Sequence, residues 1–259
     1  MRRLALTTAL CLAALLAAAA ARGELAQRGT LRLSFDGRFA PRALPRRRPA
    51  PLTVRLSGTI ATTDGSRPPR LRTISIEVNR HGRVSTRGLP VCPAGLLEQT
   101  SSSVALARCR GALIGPGRFE AGVGFAGEAP FPVEGRMLAF NGRAAGRPAI
   151  LMHVYGRRPI EATVVLSFRI AHPRRGEFGT VISTRIPQIA ADAGYITGVS
   201  FSFGRRYRYR GARRSFLSAA CAAPPGFPGA VFNFARGRFG FADGQTVPIT
   251  LSRDCSVRR

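Results

Sequence analysis

The six residues Arg205-Arg206-Tyr207-Arg208-Tyr209-Arg210 alternate cation with aromatic, and Arg213 and Arg214 follow closely. In an extended strand, alternate residues share a face at a spacing of about 7 Å, which would set Arg206, Arg208 and Arg210 side by side. Tyr207 and Tyr209 would take the other face. A guanidinium fork binds carboxylate or phosphate oxygens bidentately, so a row of forks suits a linear polyanion better than one small anion. The window from Ala193 to Ala242 holds eight arginines and no acid. Arg206, Arg208 and Arg210 are therefore the candidate anion-binding residues. The plainer alternative is a solvated edge strand, where arginine resists edge-to-edge pairing.

The bias runs through the whole chain. All 40 basic residues are arginine, against 13 acids, for a net charge of +27 over 259 residues. A charge of this size surrounds a domain with a positive field. Anionic wall polymer, acidic polysaccharide or a membrane surface are the partners it suits. No helix-turn-helix, zinc-finger or RNA-binding motif is present, so specific nucleic-acid recognition is not expected.

Catalytic constellations are thin. His81 lies in Asn79-Arg80-His81-Gly82, a turn sequence; His153 lies in the apolar run Ile150 to Tyr155; His172 precedes Pro173. None forms an HxH or HExxH set, no GxSxG elbow occurs, and no cofactor or metal is expected. Gly122 to Gly127 spells GxGxxG, yet Pro130 and Pro132 follow it where a dinucleotide site needs a helix. A secreted hydrolase acting on an anionic glycan is the rival reading, using His153 or a carboxylate pair that sequence spacing cannot reveal. Glu77, on the opposite face to Ile76 and Val78, is the acid to inspect. A third reading is a structural or protein-binding module with no polyanion site.

Five cysteines occur, and Cys11 falls within an N-terminal export signal. Met1 to Arg3 is its positive start, Leu4 to Leu16 its apolar stretch, and Ala17 to Ala21 its small-residue cleavage region. An uncleaved anchor is the alternative. Export leaves Cys92, Cys109, Cys221 and Cys255 in an oxidising compartment, with three connectivities open. Cys92–Cys109 and Cys221–Cys255 are favoured, because each pair is near in sequence.

Period-2 alternation dominates the rest. It runs through Leu52 to Ile60, Ile74 to Val78, Phe119 to Phe125, Val164 to Ile170, Val199 to Phe203 and Val247 to Leu251, separated by Gly, Pro, Asn or Asp. The pattern predicts an all-β fold, an antiparallel two-sheet sandwich with one or two short helices, a jelly roll being the alternative form. Ser101 to Cys109 and Ile186 to Ala193 are the helical candidates. Pro41 to Pro51, with four prolines, reads as an exposed connector, and Ser215 to Ala235 as a loop broken by Pro224, Pro225 and Pro228. The chain divides into an export segment (1–21), an N-terminal strand with its Arg/Pro-rich connector (22–51), and a sandwich (52–259). Sub-lobes near 52–170 and 171–259 are the further division.

Three stretches, Ile74 to Cys92 (ISIEVNRHGRVSTRGLPVC), Arg136 to Tyr155 (RMLAFNGRAAGRPAILMHVY) and Tyr207 to Gly229 (YRYRGARRSFLSAACAAPPGFPG), carry a resemblance. Together with Phe239-Gly240-Phe241-Ala242-Asp243-Gly244, the chain resembles a group of uncharacterised exported, disulfide-containing β-rich proteins of high-GC Gram-positive bacteria. The resemblance implies an exported β-rich domain. It transfers no catalytic residue.

Overall fold

A computed structural model describes residues 23–125, 127–157, 161–188 and 193–258. The expected export segment lies outside these, as do four of the eight residues of the helical turn expected over Ile186 to Ala193, of which Ile186 to Gln188 are not helical. In chain order the strands are β1 (Glu24–Arg28), β2 (Leu31–Ala40), β3 (Ala43–Leu44), β4 (Ala50–Pro51), β5 (Thr53–Thr62) and β6 (Leu71–Asn79). Then come β7 (Gly82–Val84), helix α1 (Ser102–Cys109), β8 (Leu113–Val123), β9 (Phe131–Ala144), β10 (Arg147–Gly156) and β11 (Ala162–Ala171). The last are β12 (Phe178–Arg185), β13 (Gly194–Phe203), β14 (Arg206–Tyr209), β15 (Ala212–Ser215), β16 (Leu217–Ala219), β17 (Gly229–Phe241) and β18 (Thr246–Val257). No helix among the described residues is long and apolar enough to cross a membrane.

The protein is all-β. One large curled sheet runs β1-β2-β5-β13-β8-β9-β10-β11-β12-β6-β17-β18-β3, antiparallel throughout except where β3 joins β18. Strands from both halves of the chain interleave in it: β13 sits between β5 and β8, and β6 between β12 and β17. Alternation drives each strand. On β2, Leu31, Leu33, Phe35 and Phe39 are buried while Arg32 and Arg38 are exposed, the pattern of a strand with one wet face. Curling brings β2 opposite β17, where Phe35 meets Phe239 edge-on at 5.6 Å and Phe39 stacks on Phe234 at 5.3 Å. This face-to-face packing is the sandwich, or jelly-roll-like, arrangement.

The two ends of the sheet meet at a side-chain seam. Arg253 on β18 donates to Glu24 of β1 at 2.6 and 3.2 Å and to Asp36 of β2 at 2.7 Å. A Cβ on Gly37 would sit 2.7 Å from Leu251 Cδ1, so β2 approaches β18 this closely because residue 37 has no side chain.

Two strands depart from alternation for a physical reason. From Met137 to Gly142 on β9, and from Ala149 to His153 on β10, every residue is buried. Met137, Ala139, Ile150 and Met152 face inward, whereas Leu138, Phe140 and Leu151 pack outward under α1 with Cys92, Leu97 and Ala105. Helix α1 starts where expected, its Ser101 hydroxyl accepting from the Val104 N–H at 3.4 Å. The Cys92–Cys109 disulfide ties the segment before α1 to the helix's last residue, and Cys221–Cys255 ties the segment after β16 to β18.

Two expectations need correcting. Pro41 to Pro51 is not an exposed connector. Leu44 is fully buried, β3 pairs with β18, and β4 pairs with β16. Proline is tolerated here because these short edge pairings ask for few N–H donors. Arg46 secures the same segment by donating to the carbonyls of Ala223 at 2.5 Å and Phe227 at 2.9 Å. Nor is Ser215 to Ala235 a loop throughout: the prolines occupy only its middle, with β16 before them and β17 beginning at Gly229.

Between the two layers lies a cavity of about 460 Å³, lined almost wholly by apolar side chains. Around it Ile74, Ile76, Val164, Val199, Phe201 and Phe203 are packed but only half-buried.

Candidate functional site

The arginine-rich segment forms a hairpin of its own. β14 pairs with β15 alone, Arg206 opposite Ser215, Tyr207 opposite Arg214, Arg208 opposite Arg213 and Tyr209 opposite Ala212. The connection is the two residues Arg210 and Gly211, with φ of 49° and 76°. Positive φ at both central positions is the type I′ hairpin turn, whose twist matches that of the strands. Arg210 therefore does not extend the strand face shared by Arg206 and Arg208. It caps the hairpin, its guanidinium 5.5 Å from the centre of the Tyr209 ring. Arg213 lies directly across from Arg208.

The tyrosine face anchors the hairpin to the body. The Tyr207 hydroxyl donates to the Arg87 carbonyl at 2.7 Å, and the Tyr209 ring fills the space a side chain on Gly88 would need. The arginine face is left to solvent: Arg206, Arg208 and Arg213 are all exposed. No carboxylate lies within ion-pair distance of these three among the described residues. Like charges directly opposite one another on a strand pair repel, so the Arg208–Arg213 pairing contributes nothing to the hairpin by itself.

Other arginines hold structure together. Glu77, the acid singled out by its strand position, is clamped by two of them on the outer face. Arg236 Nε donates to it at 2.6 Å and Arg238 Nε at 3.0 Å. Arg80 donates to the Gly176 carbonyl at 2.7 Å. Glu120 and Glu134 face each other across β8 and β9, both exposed, with Arg118 opposite Arg136 two residues along. That quartet lies on the outer face of the sheet, away from the cavity.

The histidines take structural places. His81 is exposed in the β6–β7 turn, its N–H donating to Asn79 Oδ1 at 3.0 Å, and His172 Nδ1 lies 3.3 Å from the Thr180 hydroxyl. His153 is completely buried beneath α1. Its Nε2–H donates to the Thr100 carbonyl at 2.9 Å, which also accepts from the Thr163 hydroxyl. Nδ1 has no partner among the described residues. Among them no group of three or more His, Cys, Asp or Glu side chains is placed to hold a metal. Gly122, the first glycine of the formal GxGxxG, is occupied instead by packing, since Tyr195 Oη fills the position of its absent Cβ.

No family model, curated protein or solved structure matches this chain.

Burial lowers the His153 imidazole below its ordinary range, outweighing the hydrogen bond to Thr100. The unfolded chain takes up this proton below about pH 6.5 while the folded chain resists it, so the unfolded state binds more protons there. Stability is therefore expected to fall as pH drops through about 6.5. Urea midpoints between about pH 7.5 and about pH 5 measure the slope. In His153→Gln, whose amide still donates to Thr100, the slope should flatten. An unchanged slope in that variant would assign the pH dependence elsewhere.

Proposed function

We propose that this protein is an exported, non-catalytic basic domain that associates with polyanions of the cell envelope or extracellular space, and that it belongs with the exported β-rich group it resembles. The observation that carries the reading is the exposed face of hairpin β14–β15. There Arg208 stands directly opposite Arg213 with Arg206 next along, and none of the three has a carboxylate partner among the described residues. Unlike Arg46, Arg80, Arg236 and Arg253, these side chains hold no part of the fold. Their clustering costs repulsion that an anionic polymer would relieve. The overall charge of +27 would speed the encounter with such a polymer.

The test compares Arg206→Gln/Arg208→Gln/Arg213→Gln with Arg55→Gln/Arg118→Gln/Arg136→Gln, which removes the same charge from the outer sheet face. Binding to a phosphodiester wall polymer, an acidic polysaccharide and a neutral glycan is followed against salt. Each lost phosphate contact should reduce the log–log salt slope by roughly 0.7 to 0.9, the value known for nucleic acids. The hairpin variant is expected to lose slope and affinity for both polyanions, with the outer-face variant changed much less. Equal small losses in both variants would leave a diffuse field and no site.

A further inference from the structure

Away from its seam the curled sheet does not close on itself. Near the seam, Leu31, Ile249 and Leu251 are buried to 5% exposure or less. On β6, β11 and β13 the inward residues Ile76, Val164 and Phe201 are only half-buried, because they border the cavity of about 460 Å³ instead of one another. Sites for small molecules run from about 300 to 1,000 Å³, and an apolar cavity of roughly 150 Å³ already stays dry and takes up benzene. Val54, Leu56, Gly58 and Ile60 of β5 all border this one, so it extends along roughly 20 Å of strand.

What the lining lacks decides what it can hold. No acid borders the cavity among the described residues, and the basic side chains stand at both ends, Arg70 and Arg72 at one and His81 and Arg83 at the other. Charge therefore gives the cavity no direction. Between the ends, the polar residues that border it turn their side chains away. The Ser34 and Thr59 hydroxyls bond to each other at 2.6 Å on the outer face of β2 and β5, and Ser57 shares the parity of Thr59. Tyr195 is turned outward as well, its ring occupying the space a side chain on Gly122 would need. Asn79 is held by its neighbours, Nδ2 donating to the Asn233 carbonyl at 2.8 Å and Oδ1 accepting from the His81 N–H at 3.0 Å. The side chains left facing inward are aliphatic and aromatic, Leu56, Ile76, Phe119, Met152, Val164 and Phe201 among them. An ion placed against that wall would lose its hydration and gain no partner.

The two ends differ in closure. At one, the small sheet β4-β16-β7 sets Val84, Phe216 and Leu217 on the cavity wall, and Phe216 is 1% exposed. At the other, Phe125 beyond β8, Ala162 at the start of β11 and Pro187 after β12 border the cavity and are also exposed. The Phe125 ring is 50% exposed and lies 6.2 Å from the Phe131 ring, centre to centre. The apolar wall thus runs out to solvent at this end, and a ligand has a way in. We propose that the lumen binds one uncharged long-chain lipid, its long axis along the strands from Phe125 toward Phe216. This site is separate from the β14–β15 hairpin and stands or falls without it.

The test titrates lipid-stripped protein with hexadecanol, methyl hexadecanoate, hexadecanoate and hexadecyltrimethylammonium, following bound ligand by equilibrium partition. Salt of about 0.5 M screens the surface field, and about pH 8 keeps the acid ionised. Hexadecanol and the methyl ester are expected to bind saturably at one per chain. The anion and the cation should each bind at least about tenfold more weakly, because neither end of the lumen favours one sign and its wall solvates neither. Ala121→Trp, which projects a ring into the lumen from β8, should abolish binding of both neutral ligands. Should that ring also disturb folding, as read by circular dichroism, the milder Val164→Phe is expected to weaken both about tenfold in a folded protein. The Arg206/Arg208/Arg213 variant should bind hexadecanol as the parent does. Absence of saturable binding, or binding indifferent to both lumen substitutions in folded protein, would overturn the site. An ion of either sign bound as tightly as the alcohol would overturn the assignment of an uncharged ligand.

Discussion

Phe140→Ala is expected to destabilise the protein by about 3 to 5 kcal/mol, while Phe201→Ala is expected to cost only about 1 to 2 kcal/mol. Both are phenylalanines on central strands of one sheet, and they differ in what surrounds the ring. Phe140 has no exposed surface and is enclosed by Leu97, Ala105, Leu138, Leu151 and the Cys92–Cys109 disulfide. Truncation there opens a new cavity that the disulfide-tied segment from Cys92 to Cys109 cannot collapse to fill. Phe201 is half-buried, stacked on Phe203 at 5.4 Å beside the existing cavity. Its loss enlarges a space already present. Urea unfolding with an unchanged m value measures both. Equal costs would mean that the interior is packed as tightly at β13 as beneath α1, and the hollow would be disproved.

Removing the Cys221–Cys255 disulfide, as the double serine variant, is expected to lower stability by roughly 4 kcal/mol, and removing Cys92–Cys109 by roughly 3 kcal/mol. The difference follows from the loops they close, with sequence separations of 34 and 17. For a chain of this size the larger loss corresponds to a fall of roughly 10 °C in Tm. Cys221 also sits where the chain leaves β16, beside the Arg46 clamp on Ala223 and Phe227. Its release should loosen the segment leading from the capping sheet into β17. Hydrogen exchange at the amides of Leu217, Ala219 and Ala220 should rise in the Cys221/Cys255 variant and stay protected in the Cys92/Cys109 variant. Equal exchange in both would show that the bridge constrains only the unfolded chain.

Much of the fold was legible in period-2 alternation. Of the run Leu52 to Ile60 all but Leu52 lies in a strand, and Ile74 to Val78, Val164 to Ile170, Val199 to Phe203 and Val247 to Leu251 lie in strands throughout. On β9 and β10 that signal is missing where both faces are covered, from Met137 to Gly142 and from Ala149 to His153, because burial erases the alternation that reveals one-sided strands. The seam was not legible either, because it depends on Arg253 reaching residues more than two hundred positions away. Prolines misled the reading of Pro41 to Pro51: a short edge pairing with β18 or β16 needs too few N–H groups for proline to forbid it.

For the hairpin, the alternation of Arg206 and Arg208 with tyrosine was readable, and the turn signal lay in the next two residues. A dipeptide ending in glycine between Tyr209 and Ala212 fits a two-residue hairpin loop, which removes Arg210 from the ladder and brings Arg213 into it. Sequence could not expose the cavity. Inward alternation looks the same whether opposing layers interdigitate or stand apart, and only the half-burial of Ile76, Val164 and Phe201 distinguishes them.

The most direct measurement of the polyanion reading is arginine footprinting. The oxidised protein is modified with phenylglyoxal at low conversion, with and without a phosphodiester wall polymer, and each site is quantified by peptide mass spectrometry. The account predicts strong protection of Arg206, Arg208 and Arg213, with Arg55, Arg118 and Arg136 modified at the same rate in both conditions. Protection spread evenly over all six would contradict it, and the arginine excess would then be a field without a site.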